Sequence, residues 1–377
     1  MKLKYPVITV LLLAIFAIAF KPARNGDKQP DLSDAFAGKF YIGTALNADQ
    51  ITGKDSASVK IIKENFNAIV AENCMKSGPM QPEEGVFDFS LADKFVEFGV
   101  ENNMYIIGHA LVWHAQAPRW FFKDSLGNDV TREVLISRMR NHIHTVVGRY
   151  KGRVKGWDVV NEVIDDRDGS YRKTKFYQII GEDYIRLAFE FAHEADPQCE
   201  LYYNDYSLTN PVKRKGAVAM VRKLKEQGVK IDAVGEQGHI GIDTPTLEEL
   251  ELTINDFAAL GVNVMITEMD VSVLPMDWSI GADISARMEY KKQSDLYIDG
   301  LPDSVYHVFE NRYLDLFELF LKHNDVITRV TLWGVTDAHS WKNGFPIPGR
   351  TDYPLLFDRN YQAKPVVEKI IAEALKK

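Results

Sequence analysis

An alternation constrains this chain more than any other feature. Eight short apolar stretches, at 40–46, 68–73, 105–113, 154–162, 200–205, 233–240, 262–271 and 329–337, are separated by longer segments with helical spacing. Apolar runs of this length suit strands buried on both faces. Between them, Tyr184, Leu187, Ala188, Phe191, Ala192 and Ala195 recur on one helical face, and Asp196-Pro197 ends the run. The segments 247–260 and 313–321 are patterned alike. Strand then helix, repeated, joins parallel strands through crossover helices. Eight strands close such a sheet, so the predicted fold class is α/β, a single-domain (β/α)8 TIM barrel. No repeat, low-complexity tract or interdomain linker follows residue 35, so one domain is expected over 36–377.

The first residues read as an export signal over 1–20. Lys2 and Lys4 give a positive start, the stretch 7–20 is uncharged and apolar, and Ala17 and Ala19 offer a small-x-small cleavage site. The stretch is shorter than the ~20 residues of a comfortable span, so a membrane association is expected only if it stays uncleaved. Pro22, Gly26 and Pro30 mark 21–35 as a linker. A secreted or periplasmic location follows. No cysteine follows the apolar stretch, so no lipid anchor is expected, and Cys74 and Cys199 are expected as buried free thiols rather than a disulfide framework. A net charge of -8 gives no support to nucleic-acid binding and places no demand on a neutral polymeric partner.

Polar residues collect at one end of the strand candidates. Glu72-Asn73, His109 with Trp113-His114, Asn161-Glu162, Asn204-Asp205-Tyr206, Gln237 with His239, Glu268 with Asp270, and Trp333 with Asp337 all lie late in, or just after, their strands. In a parallel barrel these ends converge on the C-terminal face, where the chemistry of this fold resides. Two motifs stand out, Trp157-Asp158-Val159-Val160-Asn161-Glu162 and Ile266-Thr267-Glu268-Met269-Asp270-Val271. Two carboxyls from separate strand ends are the minimum equipment for cutting a glycosidic bond.

The motifs, in their order, resemble glycoside hydrolase family 10, the endo-β-1,4-xylanases. The likeness runs from Phe40 to Pro365. It includes Tyr41-Ile42-Gly43-Thr44-Ala45, Glu72-Asn73-Cys74-Met75-Lys76, the run from Gly108 to Pro118, Tyr203-Asn204-Asp205-Tyr206, Gln237-Gly238-His239, Leu332-Trp333-Gly334-Val335-Thr336-Asp337, Leu355-Leu356-Phe357-Asp358 and Lys364-Pro365. The resemblance implies a retaining enzyme with Glu162 as general acid/base and Glu268 as nucleophile, carboxyls ~5–5.5 Å apart and a covalent glycosyl-enzyme intermediate. It implies xylan or xylo-oligosaccharide as substrate, no cofactor, no metal and a monomer.

The remaining residues take roles that suit a sugar. Asn161 can hydrogen-bond the 2-hydroxyl. His239 and Asp270 form a support set for Glu268, since Glu268 and Asp270, two residues apart, share one face of a strand. Glu72, Asn73, Lys76, His109, Trp113, Gln237, Trp333 and Trp341 suit glycan binding, because tryptophan covers the apolar faces of a sugar while amides and charges take its hydroxyls. Asn204, Asp205 and Tyr206 are read as supporting or leaving-group-side residues, and Trp120 and Trp278 stay open. Closeness to an ionised Glu268 is expected to keep Glu162 protonated until the sugar ester removes that charge.

One departure from the family pattern is Ser77, where tryptophan usually follows the lysine. With the loop 342–353 it marks where subsite shape would differ. Three other readings remain at this stage. His142-Ile143-His144 offers a metal pair, although 137–150 reads as helix rather than strand end. A catalytically silent glycan-binding barrel would keep the fold without the chemistry. A related retaining glycosidase would prefer xylo-oligosaccharides, aryl xylosides or mixed-linkage glucan.

Overall fold

A computed structural model of the chain describes residues 30–275, 296–346 and 349–376. The proposed export signal and residues 21–29 lie outside the described residues, as does Trp278. No helix among the described residues is long and apolar enough to cross a membrane.

Among the described residues, nine parallel strands build the centre of the unit formed by Asp31–Lys377. They are β1 (Tyr41–Leu46), β2 (Ala68–Ala71), β3 (Tyr105–Trp113), β4 (Gly156–Asn161), β5 (Glu200–Asp205), β6 (Ala233–Glu236), β7 (His239–Gly241), β8 (Asn263–Ser272) and β9 (Ile327–Leu332). The sheet runs in chain order from β1 to β6, β6 pairs with β8, and β9 returns to β1, which closes an eight-stranded barrel. The ninth strand, β7, continues the sixth. The predicted stretch 233–240 divides because Gly238 turns at φ +80, in the left-handed region that favours glycine. A Cβ there would also meet Ile266 Cγ2 at 2.8 Å. After that turn His239 pairs in register with Asp270 of β8.

Helices with apolar inner faces cover the barrel, and several of them begin at a side-chain cap. Thr246 and Glu249 form a capping box for the helix Leu247–Ala258, and Thr131 caps the helix Arg132–Tyr150. The helix Asp183–Ala195 buries Tyr184, Ile185, Ala188, Phe189, Phe191 and Ala192. Its buried face is therefore rotated from the sequence expectation: Leu187 and Ala195 are only partly covered, while Ile185 and Phe189 lie inside.

The expected linker over 21–35 extends too far. Leu32–Ala35 is a short helix capped by Asp31, and Leu32 and Ala35 are buried in the core beneath the helix Val366–Lys376. Apolar side chains in an otherwise polar stretch were the overlooked signal. Cys74 and Cys199 are buried free thiols, and burial pushes both up to about 12.

Candidate active site

The C-terminal ends of the strands enclose a cleft of about 420 Å³ that contains both Glu162 and Glu268. Glu162 follows the last residue of β4 and has φ +58. A non-glycine residue pays roughly 1–3 kcal/mol to hold such a backbone, and such strain concentrates where geometry matters more than stability. The turn is held from outside the barrel: Arg172 Nε donates to the Glu162 carbonyl at 3.0 Å. Its carboxyl Oε1 accepts two long bonds, from Gln237 Nε2 and from Asn161 Nδ2, each at 3.2 Å.

Glu268 is set differently. It lies within β8, is 5% exposed, and both oxygens face donors. Asn204 Nδ2 donates to Oε1 at 2.8 Å, and His239 Nε2 lies 3.4 Å from Oε2. Asn204 also donates to Asn161 Oδ1 at 2.9 Å and accepts from Thr267 Oγ1 at 2.5 Å. One amide from β5 therefore joins the β4 and β8 motifs. Its contact with Glu268 is more direct than the supporting place expected from sequence.

His239 stands between two carboxylates, with Nδ1 3.0 Å from Asp270 Oδ2 and Nε2 toward Glu268. Both ring nitrogens face carboxylate oxygens, which accept when ionised, and this setting favours the imidazolium. Burial disfavours that charge, but Asp270 and Glu268 outweigh it and raise the ring to about 9. Burial likewise opposes ionisation of Glu268, yet the His239 and Asn204 hydrogen bonds and the field of His109 hold it below its ordinary value. Asp270 follows the same logic, with Lys342, His239 and Trp341 Nε1 outweighing burial. Asp270 does not line the cleft; it sits behind His239.

The remaining sugar-binding candidates form the walls. Glu72, Asn73 and Lys76 come from the turn after β2, joined by Asn73 Nδ2 to Glu72 Oε1 at 3.2 Å and Lys76 Nζ to Asn73 Oδ1 at 3.0 Å. Burial holds Glu72 above its ordinary value and Lys76 below its own. Lys76 lies 4.7 Å above the Trp113 ring, and Trp333 meets the ring of His109 edge-on at 5.4 Å. His109 is anchored by Asp158 at 2.9 Å. Trp341 packs on His239 with ring centroids 4.9 Å apart.

Tyr206 lines the cleft, whereas Asp205 is fully buried beneath it. Two further cleft residues, Gln116 and Phe345, were not singled out. Gln116 lies inside a quoted motif; its carbonyl accepts from Gly78 N at 3.0 Å, an approach that a Cβ at Gly78 would block at 2.6 Å. Ser77 is buried and starts the short helix Ser77–Met80 beside this contact. Phe345 belongs to the loop 342–353 and stacks on Trp341 at 5.1 Å.

Several sequence candidates lie elsewhere. Asp337 is fully buried on Lys364 at 2.8 Å and serves the fold rather than the cleft. Trp120 packs on Phe121 and donates to the Gln81 carbonyl at 2.9 Å, so it belongs to the scaffold. His142 and His144 have separate partners, Gln81 at 2.8 Å and Glu194 at 3.1 Å. Among the described residues no three His, Cys, Asp or Glu side chains gather as a metal-ligating group.

The sequence profile described as glycosyl hydrolase family 10 matches residues 31–373. Endo-1,4-beta-xylanase A of Xylanibacter ruminicola is 50% identical over 371 residues, spanning 98% of each protein. Endo-1,4-beta-xylanase of Geobacillus stearothermophilus is 39% identical, over 91% of this chain and 98% of that one. A GH10 endoxylanase retrieved from sugarcane soil metagenome superposes with TM-score 0.86 at 44% identity, covering 92% of this chain and all 100% of the other. A mutant solved in complex with xylotriose superposes with TM-score 0.82 at 34% identity, over 90% of this chain and 99% of that one. With its barrel, its strand-end motifs and nearly its whole length matched, the chain belongs to glycosyl hydrolase family 10.

Proposed function

We infer that this protein is a retaining endo-β-1,4-xylanase. Glu268 attacks the anomeric carbon of a xylose unit while Glu162 gives its proton to the departing glycosidic oxygen. The bond from carbon to the leaving oxygen breaks as the ester to Glu268 forms. Glu162, now ionised, takes a proton from water, whose oxygen attacks the same carbon and releases Glu268 as carboxylate. The observation that carries this reading is the hydrogen-bond chain Glu268–Asn204–Asn161–Glu162, which gathers two carboxyls from strands β8 and β4 into one cleft.

The parts fit these duties. Asn161 Nδ2 has a second N–H for the sugar 2-hydroxyl, a contact that strengthens as positive charge develops on the ring. The imidazolium of His239 keeps Glu268 ionised, and Asp270 keeps His239 charged. Glu72, Asn73, Lys76, His109, Trp113, Gln237, Trp333 and Trp341 hold the sugars. The relatives named endo-1,4-beta-xylanase and the neighbour carrying xylotriose support a xylan chain as substrate. No cofactor takes part, and the enzyme acts as a secreted or periplasmic monomer after loss of residues 1–20.

The test is the stereochemistry and the labelled residue. Proton NMR of early xylan hydrolysis should show the β-anomer first. A 2-deoxy-2-fluoro-xylobioside with a good leaving group should attach to Glu268, as read by peptide mass. An α-anomer, or a label elsewhere, would sink the assignment. Product profiles on xylan, xylo-oligosaccharides and mixed-linkage glucan separate the endoxylanase from a glycosidase preferring short chains. N-terminal sequencing of exported protein checks the signal.

A further inference from the structure

Lys213 breaks the ordinary rules of its setting. It is the third residue of the helix Pro211–Glu226, capped by Asn210, where the positive end of the helix dipole disfavours a cation. It is also 0% exposed. A buried ammonium at the wrong end of a helix persists only where specific partners hold it.

Those partners surround Tyr206, which lines the cleft. Lys213 Nζ pairs with Asp205 Oδ1 at 2.8 Å and with Asp166 Oδ1 at 2.6 Å, and it lies 3.5 Å from the centroid of the Tyr206 ring. Asp166 in turn accepts from the Tyr206 hydroxyl at 2.5 Å. Arg172 Nη2 donates to the same hydroxyl at 2.9 Å, while its Nε holds the Glu162 carbonyl. Asp205 accepts from the backbone N of Ile164 and of Tyr206. One cation therefore joins the end of β5 to the 162–166 turn, with the Tyr206 ring pinned between them.

We propose that Lys213 is a positioning residue that fixes the Tyr206 ring and so sets how tightly the leaving-group side of a bound xylan chain is gripped. The side follows from the barrel order. β5 pairs with β4, and Glu162, the carboxyl proposed to protonate the leaving oxygen, directly follows β4, so Tyr206 at the end of β5 stands on the side of the departing sugar. A ring held by a cation on one face and by hydrogen bonds at its hydroxyl keeps its other surface fixed for a sugar. This inference rests on the xylanase reading.

The test compares two substrates of the same enzyme. Xylohexaose places sugars on the leaving-group side, whereas β-xylobiosyl fluoride leaves with a single atom and needs nothing there. The measured variant is Lys213→Met paired with Asp205→Asn, which removes a cation and an anion together. We expect KM for xylohexaose to rise about tenfold while kcat and KM for the fluoride change less than about threefold. Lys213→Arg should recover more than half of the xylohexaose loss. Equal losses on both substrates, or an unchanged xylohexaose KM, would overturn the proposal. If the paired variant does not fold, Tyr206→Phe carries the test, because it keeps the buried ion pairs and frees the ring edge. Its xylohexaose KM should rise several-fold, and no rise overturns the proposal. A wild-type protein that released no fluoride would instead refute the xylanase reading, so the two failures are distinct.

Discussion

Glu162 and Glu268 share one cleft and one residue type, yet their surroundings differ in kind. Glu268 is rooted inside a strand, nearly closed to solvent, with a donor at each oxygen and a neighbouring imidazolium. Glu162 stands past the end of its strand on a left-handed backbone, partly open to the cleft, with two long contacts to one oxygen. The first setting holds a carboxylate ionised and aimed. The second is the carboxyl that the proposed mechanism uses to give a proton to the leaving oxygen and then to take one from water. The difference teaches that, in the proposed mechanism, the two glutamates are told apart by their neighbours, Asn204, His239 and Asp270 against Gln237 and Arg172, since the residue type is the same.

The comparison can be broken most sharply at Glu268. Glu268→Ala should lower xylan turnover by about four orders of magnitude or more, since the proposed mechanism forms the ester on this carboxylate. Retention of more than a few per cent, measured as new reducing ends, would reverse the proposed roles. Glu162→Ala should lower xylan turnover about 10²–10⁴-fold, the usual worth of general acid–base help. The same variant should still release an activated aryl leaving group quickly in its first step, as pre-steady-state bursts would show. Equal losses on both substrates would mean that Glu162 does not supply the proton.

Smaller effects sharpen the contrast. Asn204→Ala deletes the short bond to the Glu268 carboxylate, and such charged bonds are worth about 1.5–3 kcal/mol, so kcat should fall about ten- to hundredfold with little change in KM. Gln237→Ala removes only a 3.2 Å contact to Glu162 and should cost about two- to fivefold in kcat/KM. If Gln237→Ala proved the more damaging of the two, Glu162 would be the more tightly supported carboxyl and the comparison would invert.

His239 adds a pH signature. Its folded pKa of about 9 lies above the ordinary histidine value of ~6.5, so the folded state binds this proton more tightly than the unfolded chain. The stability it contributes is complete below about 6.5 and is lost as pH rises through about 9. The depressed Glu268 and Asp270 act oppositely: their contribution is present above their unfolded values and is lost as acid titrates the folded protein below them. Thermal melts should therefore show a decline between neutral pH and about 9.5 that His239→Gln removes. An unchanged alkaline decline in that variant would place the titrating group elsewhere.

Much of the site was legible beforehand because parallel strands put their C-terminal residues at one end, so a list of strand ends is already a map of the cleft. The cleft gathers Glu72, His109, Asn161, Glu162, Gln237, His239, Glu268 and Trp333 from six such ends. The same logic over-reached at Asp337, where the chain has already left β9 and turned inward to Lys364. Trp120 could not be settled from sequence because stacking on a sugar and packing on Phe121 ask for the same side chain. Phe345 was invisible because a loop carries no period that says which residue faces the cleft.

The order of strands and the count that closes the barrel were determined by sequence alone, since both depend on periodicity and position along the chain, while the proposed roles of the two glutamates are what the family resemblance implies. Contacts across the barrel were decided only in three dimensions. Asn204 bridges motifs that lie 43 and 64 residues away, and Lys213 meets Asp166 across 47 residues of chain. Hydrogen bonds and ion pairs act over a few ångströms in space, and no local pattern of residues records which distant neighbour closure will bring within that reach.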